Sequence, residues 1–242
     1  MTNAKADGAT VRKPEGTASA RMDSETVMRG LMIVWSDFDA QIENVPLIDK
    51  LRRGKFRDED YKALLINHRQ QVVEGARWIA RAASSICSRY ADQRSLFLKH
   101  AVAEHQDFRM LEKHYVSMGG TLEEIRSAPR NIGTEALHAF MYHSAGQADP
   151  FDLLGAMFII EGLGEKKAGV WGRKIQEQLN LADDQVSFFI YHAEHDEDHM
   201  AHFVDTLNSG ILDEPGMGER IIKTAKIVAR LYRLQLEELG NI

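Results

Sequence analysis

Cysteine is almost missing from this chain: Cys87 is the only one in 242 residues. A single thiol forms no internal disulfide, which excludes a disulfide-stapled secreted scaffold and points to a reducing compartment, the cytoplasm. Cys87 falls within a helical pattern and reads as a small core residue rather than a catalytic thiol. Proline is nearly as scarce, and all 5 prolines (Pro14, Pro46, Pro129, Pro150 and Pro215) lie between periodic segments. There is no basic excess. A formal net charge of −6 and a pI near 5.9 exclude the electrostatic footprint of a nucleic-acid partner. Nor is there a long apolar run: the longest uncharged one, Leu153 to Ile160, is far too short to span a bilayer, so no membrane partner is expected. Residues 1–23 lack any apolar stretch after their basic residues, which argues against a signal peptide or anchor and predicts a disordered tail ahead of one domain over residues 24–242.

What remains is ordinary globular composition, 44% hydrophobic and 27% charged, enough to build a core. Strand-like alternation is nowhere sustained. Apolar residues instead recur at three- and four-residue intervals, the helical period. This predicts helices near Ser24–Asn44, Arg57–Arg89, Ala91–Ser117, Thr134–Ser144, Pro150–Leu179, Ala182–Asn208 and Pro215–Leu239. The boundaries carry helix signals: Ser24-Glu-Thr-Val at the first start, Gly119-Gly120 after the third, and Asp149-Pro150 as a capping carboxylate before a proline. The expected fold is all-α, a single-domain bundle of about seven helices.

The chemistry concentrates in Tyr191-His-Ala-Glu-His-Asp-Glu-Asp-His-Met-Ala-His202, which holds four of the 10 histidines. On a helix His192, Asp196 and His199 fall within about 60° of one another, a stripe of imidazole and carboxylate suited to iron, manganese or zinc. A histidine-rich solvated face is the bland alternative, although Phe188, Phe189, Ile190 and Phe203 surround the stripe with core-forming residues. The third predicted helix carries His100, Glu104, Asp107, Leu111 and His114 within about 80°, with His105 and Glu112 pointing away. Such a face packs poorly unless its members neutralise each other or hold a cation; the alternative is an exposed face, since Lys99, Arg109 and Lys113 make the helix generally polar. Glu161 is the only charge between Asp152 and Glu165. It must be protonated, hydrogen-bonded or coordinating, and Gly155, Gly162 and Gly164 beside it allow a close approach of backbone or ligand.

In the order and spacing of these residues the chain resembles the haem-oxygenase-like di-metal oxidases, relatives of thiaminase-II and pyrroloquinoline-quinone-synthase proteins. The likeness rests on Glu161, about thirty positions ahead of His192-x3-Asp196-x2-His199, and on Pro46-Leu-Ile-Asp-Lys-Leu-Arg-Arg-Gly54 followed by a long helix. It spans most of Asn44 to His202. The resemblance implies a haem-oxygenase-like fold and the metal ligands Glu104, Asp107, Glu161, His192, Asp196 and His199. Asp107 stands where the family has a histidine, so His100 or His114 is an alternative nitrogen donor. It also implies iron (a di-iron pair, Fe/Mn or manganese alone) that activates O2 to oxidise a small organic substrate, in a bundle that can form a homodimer. The alternative is a metal-free enzyme or small-molecule-binding protein of the same fold, in which Cys87 lacks an adjacent base. Trp171, Phe158, Phe140 and Tyr142 are candidate pocket walls. A ferritin-like reading has only Glu135-Ala-Leu-His138 to support it, without a second copy. A zinc hydrolase reading of His195-Asp-Glu-Asp-His199 lacks the glutamate after the first histidine.

Overall fold

The structure, a computed structural model, describes residues 21–239, the side chains of residues 195–202 apart. Asp23 starts the first helix, α1 (Ser24–Ile42), by accepting the Thr26 amide at 2.8 Å. Pro46 opens the short α2 (Pro46–Arg52), where a fixed φ suits the first helical position. The 28-residue α3 (Asp58–Ser85) runs through the molecule and packs against α4 (Ala91–Glu104), α5 (Phe108–Ser117) and α7 (Ile132–Ala145). Between α5 and α7 lies α6 (Leu122–Ser127), held by a reciprocal cap of Thr121 and Glu124. Then come α8 (Leu154–Leu163), a π-helical turn at Gly164–Ala168, α9 (Gly169–Leu179), α10 (Ser187–Leu207) and α11 (Met217–Glu237). No strand occurs among the described residues, and none of their helices is long and apolar enough to cross a membrane.

The expected all-α bundle is what the chain forms, with more segments than the seven the periodicity marks. The additions are α2 and α6, which are too short to show a period, and the division of two long predicted helices. Ala91–Ser117 is interrupted after Glu104 by i→i+3 bonds, Asp107 to the Glu104 carbonyl and Arg109 to the Gln106 carbonyl. Pro150–Leu179 begins as a 3₁₀ turn at Phe151–Leu153 and contains the π turn. Asp149 does not cap it. Its carboxylate accepts the Cys87 amide at 2.7 Å, and Cys87, beyond the end of α3, is exposed rather than part of the core.

Close helix approach depends on small residues. A Cβ on Gly155 would meet the Ile221 carbonyl at 2.0 Å, so α8 and α11 touch backbone to backbone, and Gly133 brings α7 against the Gln235 backbone in the same way. A buried amide–hydroxyl belt ties these elements together: Thr134 Oγ1 lies 2.9 Å from Asn67 Oδ1, and Gln235 Nε2 donates to Gln71 Oε1 at 2.8 Å. Gly155→Ala should therefore cost about 1–3 kcal/mol by overpacking and lower the melting temperature by roughly 2–10 °C. Gly75→Ala, where nothing lies within 4 Å of the new methyl group, should leave it level or raised. Thermal circular dichroism on the pair checks both.

Candidate metal centre

Four elements meet around one cluster: α4, the α4–α5 turn, α8 and α10. His192, on the second turn of α10, donates from Nδ1 to the Phe188 carbonyl at 2.9 Å. A carbonyl only accepts, so this bond fixes the tautomer and leaves Nε2 as the other end of the ring. Nε2 faces Asp107 Oδ2 at 3.4 Å and Glu104 Oε2 at 3.8 Å. Ligand atoms of Glu104, Asp107 and His192 all lie within 4.8 Å of one another, a spacing that one cation can span. Across the same space His100 Nε2 stands 3.0 Å from Glu161 Oε1 and 3.9 Å from Glu104 Oε1. His100, Glu104, Asp107, Glu161 and His192 are each at least four-fifths withdrawn from solvent in their side chains.

The i→i+3 turn after Glu104 ends α4 short of Asp107, and His100, Glu104 and Asp107 lie on the cluster. His114, the second alternative donor, goes with α5. It is fully buried, and its Nε2 donates at 2.9 Å to Ser187 Oγ, which itself donates to the Asp184 carbonyl. The structure thus places His100, not His114, with the carboxylates. Asp196 and His199 lie on α10, but their side chains fall outside the described residues, as do those of His195 and His202. His105 is exposed, bonded locally to the Val102 carbonyl. Glu112 does point away from the cluster, yet it is buried, held by Arg69 at 3.0 Å and Arg126 at 2.7 Å, and these guanidiniums, Arg126 first, lower its pKa.

The cluster forms part of the wall of a cavity of about 110 Å³ between α3, α4, α7, α8, α10 and α11. At about 10–15 Å³ for each water centre, that is space for several waters or a small organic molecule. Of the predicted wall residues Trp171 is present, whereas Phe158 packs on Phe203 and Tyr142 donates to Glu74. Phe140 is half-buried against the core outside the cavity. Sequence reasoning missed His68. It lines the cavity from the middle of α3, stacked on Phe189 at 6.2 Å and edge-on to Phe188 at 5.1 Å. Burial and then the neighbouring His192 push its pKa down to about 3, so it is neutral at any working pH. A lone histidine in a polar-looking stretch of a long helix carries no spacing signal that would have singled it out.

The sequence matches the profile of a family described as iron-containing redox enzymes over residues 104–233, a span that begins at Glu104 and includes Asp107, Glu161 and His192. The chain belongs to this family. Among solved structures, this iron-containing redox enzyme family member is similar to a Shewanella denitrificans domain of unknown function with a haem-oxygenase-like fold, at 19% identity and a TM-score of 0.81, covering 88% of this chain and 91% of that one. A TenA homologue from Pseudomonas syringae matches at 14% identity and TM-score 0.71, covering 92% and 97%. Haem oxygenase-1 from Synechocystis, solved with haem, matches at 16% and 0.68, covering 89% and 93%. No match to a curated protein is found. At these identities the likeness shows the haem-oxygenase-like fold, as the resemblance implied.

Neutral His114 gives the family member a checkable acid response. Burial first, then Lys113, lowers its pKa to about 4, so the unfolded chain binds this proton first as pH falls. Its contribution is complete above about pH 6.5 and lost as pH falls towards 4, up to about 3 kcal/mol from the shift alone. Urea unfolding at pH 7 and 4.5 should show that slope, and His114→Gln should flatten it.

Proposed function

We propose that this protein is a non-haem di-metal oxidase or oxygenase, with iron in both positions or an Fe/Mn pair, that uses O2 to oxidise a small organic substrate held in the cavity. The observation that carries the reading is the donor set itself. Three carboxylates, Glu104, Asp107 and Glu161, converge with His100 and with a His192 whose tautomer is fixed, and among the described residues no lysine or arginine lines the cavity beside them. Carboxylates gathered in an apolar interior cost several kcal/mol unless a cation compensates them. Mixed oxygen and imidazole donors suit iron and manganese, and the first donors of one helix pair with those of two others, as carboxylate-bridged centres require. Asp196 and His199 are proposed to complete the set from α10.

Bound iron would supply the reduction of dioxygen. The chain's own residues would do the rest. The Phe188 carbonyl orients His192, the carboxylates set the charge, and apolar walls including Trp171, Phe188 and Phe189 keep water from the reacting atoms. His68, neutral between the two phenylalanines, adds a polar atom at the cavity wall without adding charge.

A metal-free reading has one observation in its favour: protonated His100 and His192 would pair with Glu161 and Asp107 at the distances found. Against a thiol-dependent version of it, Cys87 is exposed and does not line the cavity. Elemental analysis separates the readings. After anaerobic Fe(II) loading and desalting, the native protein should retain one to two metals per chain, and less than about a tenth of an equivalent would exclude the di-metal reading. Glu161→Ala and His192→Ala should lose the metal with the helical far-UV signal intact, whereas exposed His105→Ala should change nothing. An Fe(II)-loaded sample should also consume O2 faster than the Glu161→Ala variant in an oxygen-electrode trace.

A carboxylate at position 107 in place of an imidazole makes the two metal positions unequal, the one nearest Asp107 weaker for iron. A titration should therefore resolve two affinities, and Asp107→His should tighten the weaker; two equal sites in the native protein would contradict the assignment.

A further inference from the structure

Gly75 stands in the interior of the 28-residue α3, where glycine weakens a helix relative to alanine. The reasons that explain other glycines of this fold do not apply to it. Its φ is not positive, and no neighbour crowds it: a Cβ at Gly155 or Gly133 would strike backbone, whereas one at Gly75 would meet nothing within 4 Å. That open space is the cavity. Gly75 is one of its wall residues, and at about 100° per residue it falls in the middle of an arc of about 120°. The other α3 wall residues, Leu64, His68, Gln71, Val72, Trp78 and Ile79, make up the rest of that arc. Arg77, Ala80 and Arg81 face solvent from the opposite side of the helix. A side chain at position 75 would therefore point into the cavity from the centre of its α3 wall.

We propose that Gly75 is a specificity-determining residue, whose missing side chain keeps the cavity open along α3 for an unbranched apolar chain. The shape follows from the walls. Leu64 to Ile79 covers about 22 Å of helix. A volume of about 110 Å³ drawn out over that length leaves a mean cross-section of about 5 Å² for the centre of a water molecule. That is the width of one hydrocarbon chain lying lengthwise. His68 places its part of the arc at the metal cluster, because it is edge-on to Phe188, which lies 4.2 Å from the His192 ring. Trp78 and Ile79 lie about 15 Å further along α3, and a chain reaching from one end to the other crosses position 75. Both residues at the far end are apolar, so each methylene buried against them adds to affinity. The inference rests on the oxidase reading only in taking this chain as the substrate, and its test reads binding rather than metal, so that each can fail alone.

The probes are 1-pentanol and 1-octanol, which share a head group and differ only in chain length. Calorimetric titration of the full chain should show octanol binding at least about tenfold tighter than pentanol, because each buried methylene contributes. In Gly75→Leu the new side chain fills the middle of the cavity, and octanol affinity should fall about tenfold or more. Pentanol, short enough to lie on one side of position 75, should stay within about threefold, which also shows that the cavity survives the change. Leucine is the better helix former, so the far-UV signal should hold. If that variant does not fold, Gly75→Ala decides: its methyl group narrows the same place and should weaken octanol about threefold with pentanol unchanged. The proposal is overturned if native protein binds neither alkanol or binds both alike, if the substituted chains bind octanol as native protein does, or if they lose both alkanols in step.

Discussion

The hydrogen bond from His192 Nδ1 to the Phe188 carbonyl spends one ring nitrogen inside α10 and turns the other towards Glu104 and Asp107. Much of the site's chemistry depends on that constraint. An imidazole free to rotate could pair with either carboxylate as an ordinary ion pair; a ring fixed by its own helix offers a directed lone pair. The neighbouring aromatic rings then limit what else can reach it, since Phe188 lies only 4.2 Å from the His192 ring centre.

Around this point the protein separates two ways of burying polar groups. On the α5–α6 side, Glu112 is neutralised by Arg69 and Arg126, and it needs nothing from outside the chain. Between α3, α7 and α11, uncharged amides and a hydroxyl satisfy one another. The cluster of Glu104, Asp107 and Glu161 follows neither pattern, because its partners are imidazoles rather than guanidiniums. Imidazoles can be ligands as well as bases, and that difference in partner sets the cluster apart from the guanidinium pairs around Glu112.

Much of the site was legible in residue types and spacing. Glu161 stands out because it is the sole charge in an apolar stretch, and His192 because imidazoles rarely recur at helical spacing for solubility alone. The α4 stripe was legible as a face but not as a geometry. Periodicity runs straight through His105–Asp107, and only contacts made between helices decide that His100 faces Glu161 whereas His114 meets Ser187. Cys87 misled for the same reason: the helical period continues past Ser85, but the chain does not.

By itself the amino-acid sequence determined that this protein is helical, that its polar chemistry sits on a few helix faces, and which residues on those faces carry carboxylate or imidazole. These are local properties, set by the period of burial and by the cost of a lone charge among apolar neighbours. Tertiary structure alone decided which faces meet. Glycines at 155 and 133 let backbones touch, and two histidines, His68 with no motif of its own and His138 from an isolated Glu-x-x-His, become walls of the same cavity. Their roles come from neighbours far away in sequence, the Phe188–Phe189 pair and the Gln70 carbonyl, and no spacing within one helix encodes contacts made between helices.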